Sequence, residues 1–164
     1  MTHHRACLVA KVLSQTEGHD YEETFTPVAQ LDSLWLLLVI AAHFDFDVHH
    51  INIMSSYLNG DLNEEIYMDQ PKGLAVKGKE HQVCFLKRAI YSLKQAGRQW
   101  HIHLINTLEE LNFQRTVSSD TLIFIQGHDG GDPLILLVYV DDIALFGTLT
   151  DINAFKFKLP PDTR

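Results

Sequence analysis

Between Leu34 and Ala42 the chain is almost continuously apolar. Asp32 and Ser33 just ahead of that run are plausible N-caps, so the pattern predicts a helix to about His43. A helix apolar nearly all round is expected to be buried. A second helix is predicted over Gln95–Leu111, where Trp100, Leu104, Leu108 and Leu111 fall on one stripe with Glu109 and Glu110 off it. Strand patterns occur at Ala6–Leu13, Asp47–Ile53 and Thr121–Gln126, and in short stretches at Glu65–Met68 and Gln82–Leu86 around a Pro71-Lys72-Gly73 turn. Leu134–Val140 is an unbroken apolar run of strand length, which predicts a central strand, with Ile143–Phe146 returning beside it. Thr16–Pro27 and Gly127–Pro133 read as loops, and Asn59-Gly60 as a turn. Strands and helices are mixed without a βαβ rhythm, so the predicted class is α+β.

Size and composition fit one globular domain: 164 residues, 46% hydrophobic and 21% charged. The two cysteines, Cys7 and Cys84, form no motif, so neither a disulfide framework nor a zinc site is expected. The N-terminus leads into no apolar signal core, and Leu34–Ala42 falls short of the roughly 20 residues a membrane span needs. The expectation is an intracellular protein, cytoplasmic or nuclear, with no membrane partner; the oligomeric state is left open. The net charge of −8 argues against a nucleic-acid binder when taken alone. The distribution changes that picture. Between positions 72 and 98, seven lysines and arginines face one acid, Glu80. Such a stripe can attract phosphates on an acidic chain, or it can be a solvated face that binds nothing.

Tyr139-Val140-Asp141-Asp142 sets two acids between two β-prone apolar runs. A tight hairpin there would hold both carboxylates at its tip. Adjacent carboxylates ionise together only beside a cation. Mg²⁺ answers that need, because it takes hard oxygen ligands and bridges to phosphates. An acidic turn with no metal is the alternative, since Asp favours turns. The pairs His3-His4 and His49-His50, and His101 with His103, invite a transition-metal reading. Neighbours on a strand point to opposite faces, and the helical pair lies about 200° apart, so neither arrangement chelates.

Four blocks in order carry a resemblance. Asp20-Tyr21-Glu22-Glu23-Thr24-Phe25-Thr26-Pro27-Val28-Ala29 resembles an opening motif of Ty1/copia-type retrotransposon reverse transcriptases. Tyr57-Leu58-Asn59-Gly60-Asp61-Leu62, with Glu64-Glu65-Ile66-Tyr67-Met68 and Gln70-Pro71, resembles the stretch after that family's first catalytic aspartate. Leu93-Lys94-Gln95-Ala96 with Arg98-Gln99-Trp100 resembles its template- and nucleotide-contacting block. Tyr139-Val140-Asp141-Asp142 matches its carboxylate box. Together they span about Arg5 to Gly147.

The resemblance implies a polymerase palm, a ferredoxin-like sheet with helices on one face, plus partial fingers. Positions of about 1–45 and 60–95 would be fingers-like, and about 46–59 and 96–150 palm-like. It implies two-metal nucleotidyl transfer to a primer 3′-OH, with Asp141 and Asp142 as catalytic and Mg²⁺-binding residues. RNA template, DNA primer and dNTP would be the partners. Tyr57 would lie under the nucleotide sugar and Gln95 would face the nucleotide. Lys94 and Arg98 would meet template phosphates, and Arg5 and Lys11 would complete the substrate-binding set.

Departures from the family pattern point away from catalysis. The family's first carboxylate block reads Met-Asp-Val-Lys-Thr-Ala-Phe-Leu-Asn-Gly. Ile51-Asn52-Ile53-Met54-Ser55-Ser56-Tyr57-Leu58-Asn59-Gly60 occupies that register, with Asn52 in place of the aspartate. Cys7 replaces an arginine whose charged fork would grip triphosphate. Ser92 replaces a glycine and Gly97 a proline. After Gly147 the family pattern runs on through the palm into a thumb. Here Phe155-Lys156-Phe157-Lys158 is followed by six residues ending at Arg164. The reading therefore expects a truncated, inactive polymerase domain without thumb, RNase H, integrase or protease; the alternatives are a non-catalytic interaction module with the polymerase fold or a pseudogene remnant.

Overall fold

A computed structural model describes residues 8–11, 14–116, 120–127 and 131–159. The chain divides into two compact units: Met1–Phe25 with Tyr57–His103, and Thr26–Ser56 with Leu104–Arg164.

The second unit is built on an antiparallel sheet. Its strands are β1 (Asp47–Asn52), β4 (Gln114–Arg115), β5 (Ile123–Gln126), β6 (Leu134–Tyr139) and β7 (Asp142–Gly147), in the order β1-β7-β6-β5-β4. β6 is buried from Leu134 to Val138 on both of its faces, which is what an unbroken apolar run requires. The register pairs Ile135 with Phe146 and Leu137 with Ala144 on one face, and Leu136 with Leu145 and Val138 with Ile143 on the other. Helix α1 (Leu31–Phe44) lays Leu37 and Ala41 on Ile135, Leu137 and Phe146 of the first face. Helix α3 (Leu149–Lys158) lies against β7, and its Lys156 is hydrogen-bonded to His49, whose register partner Leu145 is on the second face. Phe113 and Phe155 meet edge to face at 5.4 Å. The expected helix cover of one face is supplied by α1, and α3 adds cover on the second.

Two expectations about α1 are corrected. The helix begins at Leu31 after Gln30, so neither Asp32 nor Ser33 is its N-cap. The cap comes from Asp120, whose carboxylate accepts from the Gln30 N–H at 2.9 Å. Nor is α1 buried all round: Leu31, Trp35, Leu36 and Val39 are each more than half exposed. A helix lying on one sheet face can bury only the arc that faces the sheet, and this sequence is apolar beyond that arc. The apolar pattern also gives no notice of α3. Its cap does: Thr148 Oγ1 accepts from the Asp151 N–H at 3.2 Å and donates to the Asp151 carboxylate at 2.6 Å.

The first unit carries a two-stranded antiparallel hairpin, β2 (Tyr67–Asp69) with β3 (Val83–Phe85), and the start of helix α2 (Ala96–Glu110). Ile66, Ala89, Ile90, Leu93 and Ala96 form its apolar cluster. The strand expected at Ala6–Leu13 is described only in part: Val9 forms a parallel bridge with Tyr91, while Ala6, Cys7, Val12 and Leu13 lie outside the described residues. Asn59-Gly60 closes a 3-10 turn over Ser56–Asn59. Gly60 is required there by close packing, since a Cβ would lie 2.9 Å from the Trp100 backbone nitrogen and 3.0 Å from Gln99 Cβ. Gly60→Ala is expected to destabilise the fold by about 2 kcal/mol, as overpacking does, read as a lower urea midpoint at unchanged slope. No helix among the described residues is long and apolar enough to cross a membrane.

Candidate active site

β6 and β7 are joined by only Val140 and Asp141, because Tyr139 is already paired with Asp142. Val140 sits at φ 57°, where a hairpin of this kind usually carries glycine. A β-branched residue in that region costs on the order of 1–2 kcal/mol. The strain falls beside the carboxylates, at the end of two strands whose burial can hold it. The sequence-predicted pair Asp141 and Asp142 therefore occupies the tip of a rigid hairpin.

β1 runs antiparallel beside β7 and brings Asn52 opposite Asp142. The Asn52 amide donates to Asp142 Oδ1 at 2.9 Å. His50, two residues back and so on the same side of the strand, donates from Nε2 to the same oxygen at 2.8 Å. Asp141 is tied in through its backbone, its carbonyl accepting from the Ile53 N–H at 2.7 Å. His49 and His50 point to opposite faces, one to Lys156 and the other to Asp142. His50 is the site residue that the sequence reading passed over. The i, i+2 spacing from Asn52 on a predicted strand was the available signal.

The other site candidates lie in the first unit. Gln95 is wholly buried. Its amide donates to the Asp20 carbonyl at 2.8 Å and its oxygen accepts from Gln15 at 3.1 Å, while Gln15 accepts from the Lys94 N–H at 2.8 Å. In this structure Gln95 straps the segment from Gln15 to Asp20 onto the start of α2; a buried amide takes internal partners. Lys94 is exposed. Arg98 forms an ion pair with Glu23 at 3.9 Å. Tyr57 packs its ring against Tyr91 at 4.8 Å. Lys11 is exposed, and its carbonyl accepts from the Ser14 hydroxyl. Arg5 lies outside the described residues.

A sequence profile described as "Reverse transcriptase (RNA-dependent DNA polymerase)" matches residues 1–162. The chain belongs to the reverse transcriptase family of Ty1/copia-type retrotransposons. It is similar to the retrovirus-related Pol polyprotein from transposon TNT 1-94 of Nicotiana tabacum, with 37% identity over 147 residues, covering 90% of this chain and 11% of the relative. The Pol polyprotein from transposon RE1 of Arabidopsis thaliana is likewise 37% identical, over 90% of this chain and 10% of the relative. A putative transposon Ty5-1 protein of Saccharomyces cerevisiae is 34% identical over 57% of this chain and 30% of its own length. The chain thus spans about a tenth of the two plant polyproteins. No solved structure matches it.

Membership of the reverse transcriptase family suggests divalent-metal use in general. Among the described residues no three His, Cys, Asp or Glu side chains are grouped so as to hold an ion. Asn52 turns an N–H, not an oxygen, toward Asp142, and one Asp142 oxygen already accepts from two protein donors. Asp141 and Asp142 are the adjacent carboxylates at this hairpin, and the side chain paired across from Asp142 is the neutral amide of Asn52.

Proposed function

We propose that this chain is a reverse transcriptase domain that has kept the nucleic-acid-handling scaffold of its family and does not catalyse primer extension. Ancestrally its chemistry is RNA-templated nucleotidyl transfer to a DNA primer 3′-OH, with Asp141 and Asp142 as the carboxylates at the reacting end. The observation that carries the reading is the hydrogen bond from the Asn52 amide to Asp142 Oδ1. A neutral donor stands where the family pattern has a third anionic ligand, and its hydrogen bond occupies one Asp142 oxygen without adding charge. The decisive experiment is incorporation of labelled deoxynucleotide on a primed RNA template in Mg²⁺, where the chain is expected to give background.

The same arrangement bears on Mg²⁺. That ion keeps near-octahedral geometry and several waters, and it binds tightly only when charged ligands or substrate phosphates complete the shell. Two adjacent carboxylates, one of them already hydrogen-bonded twice, are a poor set. Calorimetric titration of the nucleotide-free chain is expected to show binding weaker than micromolar. A micromolar dissociation constant would refute the weak-site reading.

A further inference from the structure

The β2–β3 hairpin presents its two faces unequally. Met68, on the inner face, packs on the Ile66–Leu93 cluster. On the outer face Tyr67 is paired with Phe85, their ring centroids 5.3 Å apart and tilted by 41°. Tyr67 is 57% exposed and Phe85 50%, with Val83 beside them at 54%. The Tyr67 hydroxyl donates to Glu65 at 3.3 Å. The Glu65 charge, followed by desolvation and that hydrogen bond, raises the phenol pKa, so the ring stays neutral at physiological pH. Two large rings held side by side support the strand pairing and leave half of their surface in water as an apolar patch.

The connection between the two strands is built, not slack. The Gln70 side chain donates to the carbonyls of Lys79 at 2.7 Å and Gln82 at 2.8 Å, and accepts from the Val76 N–H at 2.8 Å. Backbone bonds Leu74 to Pro71, Lys79 to Val76 and Gln82 to Lys79 close its turns. This clasp displays Lys72, Lys77 and Lys79, all exposed, and Lys87 is exposed just past β3. Glu65, Asp69 and Glu80 are the acids of the hairpin, with Glu80 turned onto the Gly78 N–H. Arg88 is committed to Asp61 and the Asn59 carbonyl. The lysines therefore gather at the loop end and beyond β3, while Glu65 precedes β2 and Asp69, opposite Val83, shares the outer face with Tyr67.

We infer that the Tyr67–Phe85 face is a stacking platform for unpaired bases of a single-stranded nucleic acid, whose phosphates run along Lys72, Lys77, Lys79 and Lys87. The inference rests on the nucleic-acid-handling reading above. Exposed aromatic rings beside lysines suit a single strand, because every base offers a π-face while only an unpaired base can lie on a ring. A duplex would meet the lysines alone. The platform needs neither Asn52 nor the carboxylate hairpin, so binding survives the loss of chemistry.

The test is fluorescence anisotropy with a labelled oligouridylate and with a blunt RNA duplex of equal length. Tyr67→Leu and Phe85→Leu keep apolar cross-strand contact and remove the stack. Each is expected to weaken single-strand binding by about tenfold and leave duplex binding within about twofold. Lys77→Gln with Lys79→Gln should weaken both and flatten the salt dependence. Phe85→Trp should keep affinity and add a tryptophan signal quenched by the single strand. Leucine variants that melt like the parent yet bind the single strand unchanged would overturn the platform and leave the proposed function standing. Equal losses on single strand and duplex would also overturn it. A parent chain that binds neither probe would remove both proposals. If the leucine variants fail to fold, an unquenched Phe85→Trp signal under saturating oligouridylate would still refute the stack.

Discussion

Asn52→Asp made alone is expected to leave nucleotide incorporation at background, even though it restores the residue that the family pattern calls for. An amide brings no charge to a metal, and a correctly held ion is worth several kcal/mol of transition-state stabilisation. At 1.36 kcal/mol per factor of ten, that loss is on the order of a thousandfold or more in rate. Restoring the charge restores one part of a unit whose parts are non-additive. Cys7 still lacks the charged fork that would hold triphosphate. Asn52→Asp also sets a carboxylate where a donor now lies 2.9 Å from Asp142 Oδ1. The repulsion should make the variant less stable than the parent without Mg²⁺ and more responsive to it, visible as a melting temperature that rises with added Mg²⁺. Transplanted into a complete copia-type polymerase, this chain's residues should support synthesis when Asn52→Asp and Cys7→Arg are made together, and not when neither is. Clear incorporation by the unmodified chain, abolished by Asp141→Ala, would sink the inactive reading and make Asn52 a tolerated ligand.

The largest stability effect is expected at Asp120. This carboxylate is 4% exposed, accepts from the Gln30 N–H at 2.9 Å and the Leu122 N–H at 3.1 Å, and is hydrogen-bonded by Ser33. It caps α1 and fixes the chain entering β5 at once. Asp120→Ala removes a cap worth about 1 kcal/mol and strands further donors, for a total of roughly 3 kcal/mol. For a chain of this size that is a fall of about 6–12 °C in Tm. Burial works to raise the Asp120 pKa, but hydrogen bonds from Ser33, Gln30 and Leu122 outweigh it and the net shift is downward. A carboxyl depressed in the folded state contributes stability that is present above its unfolded value, near 3.9, and is lost as pH falls through the folded value. The stability gap between the parent and Asp120→Ala should therefore begin to narrow as pH falls below about 4. A gap between them that stays constant down to pH 2 would show that the carboxylate charge contributes nothing.

Some of this protein could be read along the chain. The unbroken run from Leu134 to Val140 specified a strand buried on both faces, because only such a strand tolerates apolar residues at every position. Two acids interrupting apolar strands specified the hairpin tip, and the Trp100, Leu104 and Leu108 stripe specified the buried side of α2. Four ordered blocks specified the family, and Asn52 announced its own departure from them. These are local facts of period, turn and motif.

What the chain did not disclose depends on residues brought together from far apart. Asp120 caps α1 through Gln30, 90 positions earlier, displacing the nearer Asp32 and Ser33, because the segment entering β5 delivers it there. The internal partners of the buried Gln95, Gln15 and Asp20, lie 80 and 75 positions away. His50 entered the site only through the pairing of β1 with β7, in which a shift of one residue would have sent it to the other face. α1 was read as buried because its composition is apolar. How much of a helix is covered is set by how many neighbours it has, and that number is a property of the packed fold.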